Sequence, residues 1–166
     1  MANKQNFTPE EWSQVLESIM LAGIAVSAAD PNGLWGTLRE AFAGSSAVAA
    51  SKHDPASNQL VKEAVADFET PQRRSEIQHA LRKRCADADP AGVVQRSLAC
   101  LSEVSVILDA KAPGDAAAFK AWLRGISQKV AEASREGAFL GFGGVRVSDS
   151  EKATLAEISK SLGMPS

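Results

Sequence analysis

The 166-residue chain has few of the residues that most often carry chemistry. Its two cysteines, Cys85 and Cys100, form no CxxC pair and no zinc-ligand spacing, so the sequence spells neither a disulfide framework nor a zinc site. There are two histidines, His53 and His79. Glu76-Ile77-Gln78-His79 matches a single Glu-x-x-His step of a di-iron bundle, but such a site needs the step twice and two further glutamates. Residue 50, three before His53, is alanine. No Gly-Lys pair occurs, which excludes a Walker phosphate loop. No apolar run reaches the roughly 20 residues of a membrane span, and the longest, Ile19 to Ala29, reads as a buried helix. An excess of one charge is also missing. The formal net charge of −2 points to neither a nucleic-acid nor a membrane partner. The opening Met-Ala-Asn-Lys-Gln-Asn-Phe lacks the apolar stretch of a signal peptide, and the expectation is a cytoplasmic protein with reduced thiols.

What the sequence does have is helix. Hydrophobic residues make up 45% and charged residues 23%, a composition that can bury a sizeable core without staples. Five prolines follow Thr or Asp, at Thr8-Pro9, Asp30-Pro31, Asp54-Pro55, Thr70-Pro71 and Asp89-Pro90. A Thr or Asp side chain caps the free N–H groups of a first helical turn, and proline suits the next position because its missing N–H is not needed there. Pro113 opens a further helix, and Ser148 with Glu151 forms a capping box for the last.

Apolar residues recur at three- and four-residue steps. They run through Trp12, Val15, Leu16, Ile19, Gly23 and Val26; Leu34, Leu38 and Phe42; Leu60, Val61, Ala64 and Phe68; Ile77, Leu81 and Cys85; Val94, Leu98, Leu101, Val104 and Leu108; Phe119, Trp122, Leu123, Ile126, Val130 and Ala133; and Leu155, Ile158 and Leu162. No alternating strand pattern accompanies them. The expectation is an all-α single domain, residues 1–166, of about seven helices with flexible ends at 1–7 and 164–166. The first, fifth and sixth helices should supply most of the core. Ile24 to Gly33 echoes Ser127 to Gly137, which would suggest a pseudo-two-fold bundle.

Three features compete as sites. The first is the glycine-rich stretch Gly137–Gly144, which precedes a capped helix N-terminus, a position suited to anions. The dinucleotide fingerprint fails because Arg146 stands where its last glycine is needed. The plainer reading is a connector whose Phe139, Leu140 and Phe142 plug the core. The second is a basic cluster on the fourth predicted helix, Arg73, Arg74, Arg82, Lys83 and Arg84. It reads as a solvated face or as a contact for an acidic partner, and no aromatic residue lies within it to stack nucleic-acid bases. The third is a set of acids and amides at the echoed turns, Asp30, Asn32, Glu132, Glu136, Asp149 and Glu151. Oxygen ligands at turns can hold a divalent cation such as calcium or magnesium. Helix capping competes for Asp30 and Glu151.

The ending "GGVRVSDSEKATLAEISKSLGM" resembles the end of the TerB-like tellurite-resistance family, in which Val-Ser-x-x-Glu opens a helix that closes on Leu-Gly. Val147, Ser148, Glu151, Leu162 and Gly163 carry that likeness, and "AVSAADPNG" resembles the family's first turn, with Asp30 as its acid. The resemblance implies an all-helical, pseudo-symmetric bundle without catalytic machinery, a role in bacterial metal or oxidative stress, and divalent-metal binding by acids near both turns. The chain departs from the pattern at Gly144, which replaces the acid of the second turn, and at Pro31-Asn32, which separates Asp30 from Gly33.

The expected function is therefore a non-enzymatic TerB-like stress protein, with Asp30, Asn32, Glu132, Glu136 and Glu151 as metal ligands. The alternative is a helical interaction module that uses the basic cluster on a protein partner. A catalytic Ser-His-Asp or Cys-His set is assembled in space, and nothing local points to one. Helix packing permits a homodimer without showing which face would be shared.

Overall fold

The computed structural model of the chain describes residues 1–29, 48, 57–136 and 148–165, with the backbone alone for 133–136. Among them the fold is an all-α bundle with no strand. A 3₁₀ turn over Lys4–Asn6 precedes α1 (Pro9–Ala29), α2 (Gln59–Phe68), α3 (Pro71–Arg84), α4 (Pro90–Lys111), α5 (Pro113–Glu136) and α6 (Asp149–Ser161). Six of the seven expected helices are thus described. The remaining one, carrying Leu34, Leu38 and Phe42, lies outside the described residues, as do the glycine-rich stretch and the ends of both echoed turns.

The proline-marked starts hold at Pro9, Pro71, Pro90 and Pro113. Thr70 and Asp89 each accept a backbone N–H from the first turn of the helix they cap, from Arg73 and Gly92. The start expected at Asp54-Pro55 is corrected. Residues 57 and 58 are not helical, and α2 begins at Gln59, where the Asn58 side chain accepts the Val61 N–H at 2.9 Å. The capping box at Ser148 and Glu151 forms as expected.

The core is built around α1, which packs most extensively on α4 and then on α5, the trio expected to dominate. The apolar spacing anticipates one buried face on α1, but from Val15 to Ala28 the helix is buried on every side. Its buried run is unbroken from Val15 to Ala28. The reason is composition: past Glu17 every residue of this run is apolar or a small serine or glycine, so no side is anchored in water. Buried hydroxyls stay satisfied by local carbonyls, Ser18 Oγ on Val15 O (2.6 Å) and Ser27 Oγ on Gly23 O (3.2 Å). Ser127 of α5 donates across the interface to Ala22 O at 2.8 Å.

Two further ties close the bundle. Ser105 of α4 donates to Leu162 O at the end of α6 (3.0 Å), where Gly163 takes a φ of +67°; glycine adopts this left-handed geometry without the Cβ penalty. At the N-terminal end, in the stretch expected to be flexible, the Ala2 N–H donates to the buried Asp115 carboxylate (2.7 Å), and Phe7 packs on Trp12 with ring centroids 5.4 Å apart. In the other such stretch, the Met164 N–H donates to Ser159 O at 2.9 Å.

Candidate functional site

α3 is the most polar of the described helices. Only Ile77 and Leu81 are buried along its 14 residues. These two define its docked face, and Arg84, three residues beyond Leu81, falls on that face. The basic cluster does not therefore form one surface. Arg84 turns inward, and its Nε and Nη2 both donate to Glu17 Oε2 of α1, at 3.2 and 3.0 Å. Burial works against the Arg84 charge, but the neighbouring Cys100 sulfur and the carboxylates of Glu17 and Glu103 outweigh it and hold its pKa above the ordinary arginine value.

Arg73 is also occupied. It donates to Glu76 at 2.8 Å, and hydrogen bonds from Gln72 and Arg73 hold the Glu76 carboxyl below its usual pKa. Arg74 is half-buried and donates to Glu69 O at 3.4 Å. Arg82 and Lys83 differ from these three. Both are exposed and neither makes an ion pair among the described residues. They lie in the last turn of α3, where the helix dipole favours cations. Behind them Arg96 of α4 donates to Arg84 O (2.7 Å) and Ala86 O (2.8 Å), fastening the end of α3 to α4. Asp87 and Asp89 follow directly and are exposed, so the cationic tip is bounded on one side by acid.

The interior neighbour of this tip is Cys100. Burial pushes its thiol up to about 12; Arg84 offsets part of this, while Glu17 and Glu103 add to it. A thiol so placed stays protonated at neutral pH and is a poor nucleophile or metal ligand.

The expected metal ligands are not brought together among the described residues. Asp30 and Asn32 lie outside them, and Glu136 is described by backbone alone. Glu132 is exposed and accepts from Gln128 Nε2 at 2.9 Å. Glu151 is buried, with Oε2 accepting from the Ser148 N–H (2.8 Å) and Oγ (3.0 Å). Its capping role therefore occupies at least one of its oxygens. Among the described residues no three His, Cys, Asp or Glu side chains group as metal ligands would.

The sequence reading misses Glu17. The signal was present: between Trp12 and Ala29 it is the only charged residue, and a lone acid in an apolar helix calls for a cation from a neighbouring element. No protein-family model matches the chain, and no curated protein or solved structure matches it significantly.

Proposed function

We propose that this protein is a non-enzymatic helical interaction module that presents Arg82 and Lys83, at the C-terminal tip of α3, to an acidic protein segment. One observation carries this reading. Of the five cations in the cluster, Arg84 turns inward onto Glu17, Arg73 pairs with Glu76 on the helix surface and Arg74 donates to Glu69 O, whereas Arg82 and Lys83 are exposed and make no ion pair among the described residues, on a helix fastened by Glu17 and Arg96. An exposed cationic helix tip favours carboxylates through the charge of Arg82 and Lys83, which outweighs the partial negative charge of the helix end that carries them. The test is binding of a fluorescent Asp/Glu-rich peptide, followed by anisotropy at low and high salt. The Arg82→Gln, Lys83→Gln double variant should lose binding and, having lost only about 0.3–1 kcal/mol of helix-end stabilisation per residue, should unfold at most about 8 °C lower than the wild type. Equal binding by the double variant would refute the reading.

A second reading follows the TerB-like resemblance: a cytoplasmic stress protein binding a divalent cation. Its motivation is the Val147, Ser148 and Glu151 likeness to that family; the capping box competes with it, because one Glu151 oxygen already accepts from Ser148. Thermal unfolding of metal-stripped protein with calcium, magnesium or zinc tests it. Saturation at about 100 times the dissociation constant adds roughly 2.7 kcal/mol, a rise of about 5–11 °C for a domain of this size. The rise should vanish in Asp30→Asn, Glu151→Gln. No shift with any ion would end this reading.

A further inference from the structure

The two exposed cations of α3 sit at the end of a helix that suits an anion least. The last carbonyls of a helix carry a partial negative charge and lack intrahelical donors. A carboxylate drawn to Arg82 and Lys83 meets that charge as well. What lies on those carbonyls therefore decides how well the tip can hold an anion.

Arg96 of α4 lies on them. Its Nη1 donates to Arg84 O at 2.7 Å and to Ala86 O at 2.8 Å. Both distances are those of charge-assisted hydrogen bonds, and they set a full positive charge against the helix end. Arg84 follows Lys83 directly in the chain, so the Arg96 guanidinium stands beside the backbone that carries both exposed cations.

The contact uses only part of the side chain. The two hydrogens of Nη1 suffice for the two carbonyls, and the remaining guanidinium hydrogens are on Nε and Nη2. Neither of these nitrogens donates to a described residue, and Arg96 is exposed. The Nε–Nη2 edge can take a carboxylate through two parallel hydrogen bonds. Arg84 spends its own Nε and Nη2 on Glu17, whereas Arg96 leaves them open. Asp87 and Asp89 are exposed nearby in the chain, yet neither pairs with Arg82, Lys83 or Arg96.

We infer that Arg96 is the third cation of the site for an acidic protein segment, and the one that sets its geometry. Nη1 holds the end of α3 and offsets its partial charge. The Nε–Nη2 edge seats one partner carboxylate at two points, while Arg82 and Lys83 attract the acids beside it. The inference rests on the binding role proposed for Arg82 and Lys83 and deepens it. It requires of the partner several acidic side chains close together, one of them free to lie flat on a planar fork. The basic run of α3 does not reveal this residue, because Arg96 lies on the next helix between the uncharged Gln95 and Ser97.

Anisotropy with the fluorescent Asp/Glu-rich peptide and the full chain tests the assignment. Arg96→Gln, which keeps an amide donor for the carbonyls, should weaken binding about fivefold, the upper end for an exposed ion pair. Arg96→Lys keeps the charge without the planar edge and should fall between the wild type and Arg96→Gln. A residue that only fastened α3 would not touch the peptide. The wild-type Arg96 Nε–H resonance, assigned by its loss in Arg96→Lys, should therefore move when the acidic peptide is added and stay in place with a Gln-rich peptide of equal length. An unmoved resonance in a wild type that binds, or Arg96→Gln binding as tightly as the wild type, would overturn the role of Arg96 and leave that of Arg82 and Lys83 standing. Arg96→Lys binding as tightly as the wild type would overturn the two-point geometry. A wild type that binds no acidic peptide would overturn both the inference and the reading beneath it.

Discussion

Arg84 and Glu17 meet through a single carboxylate oxygen, with both guanidinium donors converging on Glu17 Oε2. The side chains are 27% and 10% exposed. The pair joins the most polar helix to the most buried one. Ile77 and Leu81 bury too little to hold α3 firmly, and the ion pair adds the direction that apolar contact lacks.

Truncating Arg84 to alanine leaves the Glu17 charge buried and unpaired. A fully buried pair broken this way costs about 3–5 kcal/mol. Water reaches this one from the Arg84 side, so the expected loss is about 2 kcal/mol. Glu17→Leu with Arg84→Met, which removes both charges and keeps the bulk, should recover most of it. Urea denaturation of the wild type and these two variants checks both values. An Arg84→Ala loss below about 0.5 kcal/mol would mean the pair contributes no more than a surface one.

Cys100 sets an alkaline limit on stability. Its ordinary pKa of 9.0 is raised in the fold to about 12. Between these values the folded chain keeps a proton that the unfolded chain has lost. The contribution is fully present below pH 9 and disappears as pH rises toward 12, at up to roughly 1.4 kcal/mol per pH unit. Urea midpoints at pH 8 and pH 10.5 should fall further for the wild type than for Cys100→Ala. Parallel falls would contradict the assignment. The same burial should leave Cys100 unmodified by iodoacetamide in the folded protein at pH 8.

The box at the start of α6 can be dissected with two substitutions. Ser148→Ala removes an N-cap and should cost about 1 kcal/mol, a drop of about 2–4 °C in thermal midpoint. Glu151→Gln keeps a side chain that can still accept the Ser148 N–H and should cost less. Equal losses would show that the Glu151 charge, rather than the hydrogen-bond geometry, holds this helix end.

The helices were legible because their signals are local. Thr70-Pro71, Asp89-Pro90 and Ser148 with Glu151 each act within one turn, and the structure obeys all three. Periodicity likewise found the dominant role of the helices that carry Val15, Leu101 and Phe119. It failed where burial depends on the number of neighbours. A 3.6-residue pattern describes a helix with one wet side, and α1 has none, so the rule underestimates it. The basic cluster failed for a related reason. Five cations close in sequence read as one patch, but Ile77 and Leu81 fix which way α3 faces, and this turns Arg84 inward while leaving Arg82 and Lys83 outside. The target of Arg84 lies 67 residues away, and nothing local encodes that distance.

The full enclosure of α1 narrows what mutation can do to this protein. A helix with a wet side has positions where a larger side chain swings into solvent. From Val15 to Ala28 there is no such direction. Ala22, Gly23 and Ala25 act as spacers, and enlarging any of them would push a neighbouring helix outward. Substitutions that change surface chemistry without disturbing the shared axis therefore have room only on the outer helices.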